Sequence, residues 1–228
     1  MQAEISEIFE SIQGEGILVG VRQVFVRFAR CNLACTYCDT HKNSKFCRDY
    51  VSNRTLRNPI SAEYVSNVIK SVKVHSISFT GGEPLLYADF IKNVEKVKPF
   101  YLETNMTLPD EAKKIKNVVD FVAGDLKIRE ALPNCDYDEI VERTIRSFKI
   151  LRNRRGRLTF CKIVLPDKFE LDEVVSNAES IKDYVECFVL QPVFGHKNIK
   201  ILMDLQKRLM DIKETRIIPQ VHKYLGVR

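Results

Sequence analysis

Short apolar runs and amphipathic stretches alternate along the chain. Residues 24–28, 75–80, 100–103, 118–123, 158–165, 187–190 and 216–218 are apolar, β-branched or aromatic and read as strands. Helical spacing lies between them: Val65, Val68, Ile69 and Val72; a helix over 88–98; one begun by Pro109, Asp110 and Glu111; then Val141, Ile145 and Phe148; Leu171, Val174, Val175 and Ala178; and Ile201, Leu205, Leu209 and Ile212. Ser61 precedes the first helix as a capping residue. Residues 46–59 read as polar and irregular.

Strand–helix alternation predicts a parallel sheet with helical crossovers, wound as an open sheet or a barrel. Six or seven strands are too few for a complete eight-fold barrel. In either architecture ligands collect beyond the carboxyl ends of the strands. Polar groups stand there: residues 31–40, 80–84 and 103–105, then 125–127, and Gln191. Polar loops alone explain such a pattern, so it locates a site without naming one.

At 228 residues, with 45% hydrophobic and 29% charged positions, the chain suits one domain over 1–228. A net charge of +6 leans toward anionic ligands, but 36 basic residues are spread among 30 acidic ones. The N-terminus lacks a basic stretch leading into an apolar core, and no apolar run is long enough for a membrane span. Seven cysteines form no regular disulfide framework. We expect a cytoplasmic, reducing setting.

Cys31, Cys35 and Cys38 form a CxxxCxxC loop after the first strand. That spacing admits a Cys₃His zinc site with His41, an iron–sulfur cluster with one iron left open, or cysteines that only pack. Gly81-Gly82-Glu83-Pro84 lets a small ligand approach the backbone. Gln13-Gly14-Glu15-Gly16 reads as a tight turn, and Arg27 faces away from Val26 and Phe28.

The cysteine motif together with Gly81 to Pro84, and with Tyr37 inside the loop, resembles the radical S-adenosylmethionine (SAM) superfamily. More closely, residues 8–16, 27–33, 38–40, 103–105, Gln191-Pro192 and 220–226 resemble the 7-carboxy-7-deazaguanine synthase (QueE) family along nearly the whole chain. The resemblance implies a partial (βα)6-type TIM barrel whose N-terminal and C-terminal extensions close the site. It implies a [4Fe-4S] cluster on Cys31, Cys35 and Cys38, SAM cleaved to a 5′-deoxyadenosyl radical, and conversion of 6-carboxy-5,6,7,8-tetrahydropterin to 7-carboxy-7-deazaguanine with loss of ammonia. That product precedes the queuosine and archaeosine bases of tRNA.

By the same resemblance Ile12, Gln13 and Gly14 contact the pterin, Arg27 pairs with its carboxylate, Thr80 touches it and Arg228 closes over it. The SAM shell is Tyr37, Cys38 and Asp39, then Gly82 and Glu83, Glu103 and Asn105, Asp125, Leu126 and Lys127, and Gln191. Thr40 corresponds to a Mg²⁺ ligand. An external one-electron reductant and a homodimer are also implied, with no membrane or direct nucleic-acid partner. Two positions depart from the family: Asp125-Leu126-Lys127 replaces a common Ser-Pro-Lys, and Met106 stands where glycine is usual. Residues 128–157 are longer and more charged than in compact members and read as a surface helix and loop, with Arg152 to Arg157 solvated rather than bound to nucleic acid. The alternative activity is a radical SAM activase that installs a glycyl radical on a partner protein.

Overall fold

The computed structural model describes residues 1–38 and 45–228. In chain order the elements are β1 (Gln2–Ala3), β2 (Ile5–Ile12), β3 (Arg22–Phe28), β4 (Phe46–Asp49), β5 (Arg54–Arg57), β6 (Ile60–Ser61), α1 (Ala62–Lys70), β7 (Ser76–Gly81) and α2 (Ala88–Asn93). There follow β8 (Phe100–Thr104), α3 (Pro109–Ile115), β9 (Phe121–Asp125), α4 (Tyr137–Ile150), β10 (Leu158–Leu165), α5 (Leu171–Glu179), β11 (Phe188–Pro192), α6 (Ile199–Met210), β12 (Thr215–Ile217) and α7 (Val221–Leu225).

Among the described residues the main sheet has the order β12-β11-β10-β9-β8-β7-β3-β2-β4-β5. Every pairing from β12 to β3 is parallel, while β2 runs antiparallel to β3. This is the expected α/β architecture with a mostly parallel sheet. Strand pleating sends alternate residues to opposite faces. Ile77, Phe79, Leu102, Val122, Ile163 and Leu190 join the main core, with Phe90 of α2, Phe148 of α4 and Leu205 of α6. Tyr101, Ala123, Phe160 and Val189 face the other way and form a second cluster, against which Ile17 and Leu18 of the 13–20 loop pack. The sheet therefore curls around the N-terminal loop instead of lying flat.

Three sequence expectations are corrected. Residues 46–59 are not irregular: β4 and β5 pair antiparallel, and β4 extends the sheet beside β2. Asp49 hid the alternation, because it is a buried carboxylate accepting from Val51 N, Ser52 N and the Tyr64 hydroxyl. The helix read over 88–98 stops at Asn93, and Val94 turns extended. Arg157 is not solvated. It lies buried behind α4 and donates to the carbonyls of Ile150, Arg152 and Lys116, which supplies donors to the chain leaving that helix.

Candidate active site

The cysteine loop is fastened at its base. Gly82 N donates to Phe28 O at 2.9 Å and Glu83 N to Arg30 O at 2.7 Å, so the Gly-Gly-Glu-Pro turn is hydrogen-bonded to the segment that delivers Cys31. A Cβ on Gly82 would overlap the Arg30 carbonyl oxygen. Gly81 has φ +101°, and a Cβ there would come within 2.8 Å of the Phe28 backbone. The glycine pair thus serves a close approach between two loops of the protein itself. Asn105 Nδ2 donates to Asn32 Oδ1 at 2.9 Å and lies 3.8 Å from Cys31 Sγ, holding the loop from the end of β8.

Glu83 is completely buried and does not line the cavity. Its carboxylate accepts from Leu85 N, the Thr104 hydroxyl and Asn105 N at 2.9, 2.6 and 2.8 Å. Glu83 thereby fixes Asn105, which in turn holds the thiol loop through Asn32. Burial outweighs those hydrogen bonds and pushes its carboxyl up to about 7. Between the ordinary value of 4.5 and about 7 the folded chain holds a proton that the unfolded chain releases. Glu83 therefore favours folding most below pH 4.5, and this contribution is lost as pH rises toward 7. Glu83→Gln is expected to flatten that slope by up to about 3 kcal/mol, read from denaturant midpoints of both proteins at pH 5 and 7.5.

Beyond the carboxyl ends of the strands lies a cavity of about 400 Å³. Cys31, Cys35, Tyr37 and Cys38 line it. Ile12, Gln13, Gly14, Arg27 and Thr80 line it too. Gly82, Glu103, Asn105, Asp125, Lys127 and Gln191 also face it, as does Arg228. Strand register explains the convergence: Arg27 is opposite Thr80, Lys162 opposite Asp125, and Val164 opposite Gln191. Leu126 does not reach the cavity. It follows Asp125 and precedes Lys127, so its side chain turns into the core while theirs face inward. Asp39 and Thr40 lie outside the described residues.

The cavity floor is charged. Lys162 Nζ contacts Glu15 Oε2 at 2.6 Å, Glu103 Oε1, and Asp125 Oδ1 at 3.6 Å. Lys127 Nζ pairs with Asp125 Oδ2 at 2.7 Å. Burial opposes ionisation of Glu15, but the Lys162 charge and hydrogen bonds from Gln220 and Lys162 hold its carboxyl below the ordinary range. At Glu103 burial prevails over Lys162 and the carboxyl is raised. Burial also raises the Cys35 thiol and the Tyr37 phenol.

Both ends of the chain wall this space. Val221 N donates to Gly14 O at 2.9 Å, and Gln220 Nε2 to Glu15 Oε1 at 2.8 Å. Arg27 Nε lies 3.2 Å from Glu7 Oε2 and its guanidinium stands over Phe9, while Arg228 Nη1 takes Glu7 Oε1 at 3.0 Å. Sequence reasoning gave Glu7 and Lys162 no place in the site, and took Glu15 only as part of the Gln13 to Gly16 turn. Lys162 had a visible signal, since it is a cation inside the apolar run Leu158–Leu165, on the same face as Phe160 and Val164.

Comparison with known proteins decides the family. A radical SAM superfamily model matches residues 25–181. The 7-carboxy-7-deazaguanine synthase of Archaeoglobus fulgidus is 64% identical over the full length of both chains. The chain belongs to the 7-carboxy-7-deazaguanine synthase family. The enzyme of the same name from Methanothermobacter thermautotrophicus is 36% identical, with 100% of this chain and 99% of that one covered. Among solved structures, QueE from Escherichia coli shares the fold with a TM-score of 0.58 at 20% identity, covering 97% of this chain and 95% of that one. Streptococcus suis SuiB bound to its precursor peptide gives 0.56 at 16% identity, covering 86% and 48% respectively.

Radical SAM membership implies a four-iron cluster and SAM, and the synthase site fits both. Three thiols face one cavity, and three thiolates leave one iron of such a cluster open to an outside ligand. In the same cavity the buried Tyr37 hydroxyl and Gln191 Oε1 have no hydrogen-bond partner among the described residues. Buried polar atoms are normally paired, so these two suit a polar ligand in the cavity that the thiols line.

Proposed function

We propose that this cavity holds the cluster and SAM against Cys31, Cys35 and Cys38, and a carboxylated tetrahydropterin against Arg27, converting it to 7-carboxy-7-deazaguanine with loss of ammonia. One observation carries the reading: the thiols and Arg27 line the same cavity, whose volume suits small-molecule ligands. When bound, the cluster and SAM supply the one-electron chemistry that removes a substrate hydrogen. The chain's own residues bind, orient and exclude water. Arg27 presents a guanidinium to a carboxylate. Gln13 donates to Gln23 at 3.1 Å and accepts from Glu15 N at 3.0 Å, which fixes the loop where a planar ring would lie. Asn105 and Asn32 brace the thiol loop, and Lys127 and Asp125 set the charge of the cavity.

Mg²⁺ at Thr40, an external reductant and a homodimer belong to the same reading. No helix among the described residues is long and apolar enough to cross a membrane. The paired ends of the chain favour the pterin over the activase alternative, because they wall the cavity where a partner polypeptide would have to enter. Anaerobic reconstitution with iron and sulfide, then incubation with SAM, reductant, Mg²⁺ and 6-carboxytetrahydropterin, should give deazaguanine and 5′-deoxyadenosine by mass spectrometry. 5′-Deoxyadenosine formed only with a partner polypeptide would overturn the assignment.

A further inference from the structure

Lys162 stands at the junction of three elements. Its ammonium reaches Glu15 from the loop after β2, Glu103 from β8 and Asp125 from β9, and its side chain is only 5% exposed. The two glutamates are bound alike. Glu15 gives one oxygen to Lys162 and the other to Gln220, while Glu103 gives one to Lys162 and the other to the Thr80 hydroxyl at 2.7 Å. Both line the cavity. Each carboxylate oxygen has two lone pairs, so each retains capacity for a ligand N–H.

The fold does not call for a cation here. The inward positions on either side of Lys162 are Phe160 and Val164, and an apolar residue would continue that face. Replacing buried ion pairs by well-packed apolar groups is often neutral or stabilising, so a buried ion cluster is weak evidence for a purely structural role. What the ammonium does supply is charge between two carboxylates bound to one nitrogen atom. Without it, two like charges in a desolvated site would compete and one would take up a proton.

Resting on the synthase reading above, we propose that Lys162 is a positioning residue that holds Glu15 and Glu103 together as ionised acceptors for the N–H groups of the pterin ring. The groups facing this pair are Asp125 from β9 with its partner Lys127, His222 from α7, which acts on Glu15, and Tyr101 from β8 itself. Burial raises the Tyr101 phenol well above its usual range, so it remains neutral and cannot replace the cation.

The test uses ligand-free infrared spectroscopy and equilibrium binding of fluorescent 6-carboxypterin, with Lys162→Met and Lys162→Arg beside the wild type. At about pH 7.5, Lys162→Met should gain a protonated-carboxyl band beyond the Glu83 signal that wild type and Lys162→Arg already carry. The acid limb of 6-carboxypterin binding should move to higher pH by about one unit or more, which is roughly a tenfold loss of affinity on the acid side. Lys162→Arg should retain the wild-type limb. No new band and an unshifted limb in Lys162→Met would overturn the proposal, even if affinity fell uniformly. If Lys162→Met does not fold, Lys162→Gln is read in the same two assays, with the same new band and the same shifted limb expected; neither appearing would overturn the proposal. Failure of wild type to bind 6-carboxypterin would instead overturn the pterin reading, and with it the ligand assigned to Lys162, while the infrared result still reports whether the ammonium keeps both carboxylates ionised.

Discussion

Gly82→Ala should destabilise the protein by about 4 kcal/mol or more and strip it of most of its iron after reconstitution. The new Cβ would overlap the carbonyl oxygen of Arg30 and stand 3.1 Å from Cys31 N, so only backbone movement relieves it. That movement would stretch the hydrogen bonds from Gly82 N to Phe28 O and from Glu83 N to Arg30 O, which anchor the loop bearing the thiols. For a chain of this size such a loss lowers Tm by roughly 10 °C. Gly20→Ala is the control: its φ of +90° makes alanine strained, but the Cβ meets nothing within 4 Å, so a cost of only about 1 kcal/mol is expected. Calorimetry and iron assay check both variants. A Gly82→Ala protein with wild-type Tm and full iron content would refute this account of the motif.

Arg27→Met should reduce kcat/KM for 6-carboxytetrahydropterin by about 10² to 10³ while leaving cluster content unchanged. Charge-assisted hydrogen bonds are worth about 1.5–3 kcal/mol each, and a carboxylate takes two from one guanidinium. Arg27 is placed for this by β3, opposite Thr80 of β7, and it is steadied by Phe9 and Glu7. Arg27→Lys keeps the charge but not the fork, so it should recover only part of the loss. The loss should appear in KM and in kcat together, since the carboxylate sits on the carbon that gives up its hydrogen and its contact both binds and orients the substrate. Steady-state kinetics against substrate concentration checks this, and an unchanged KM in Arg27→Met would remove Arg27 from the substrate site.

Much of the architecture could be read in the chain because buried parallel strands are apolar on both faces. The strand expected over 158–165 is β10 residue for residue, and Ser61 caps α1 by accepting from Tyr64 N at 3.1 Å. Apart from the overlong helix at 88–98, the failures share a cause, which is polar groups buried for reasons that no periodicity records. Asp49 disguised β4 as loop, Lys162 was absorbed into an apolar run, and Arg157 was taken for a solvated residue. Among the site residues, the thiols, Arg27, Thr80 and Gln191 all face the cavity. Glu83 and Leu126 were included through the family resemblance; their side chains are buried and do not line the cavity. The charge cluster was not visible because Glu15, Glu103, Asp125 and Lys162 are far apart along the chain and meet only when the sheet curls.

The most direct test of the central claim, that the thiols and Arg27 serve one reaction, is a label-transfer experiment. The reconstituted protein would be given SAM, reductant and 6-carboxytetrahydropterin deuterated at the carbon bearing the carboxylate. The account predicts deuterium in the 5′-deoxyadenosine together with 7-carboxy-7-deazaguanine. Unlabelled 5′-deoxyadenosine without deazaguanine would contradict it.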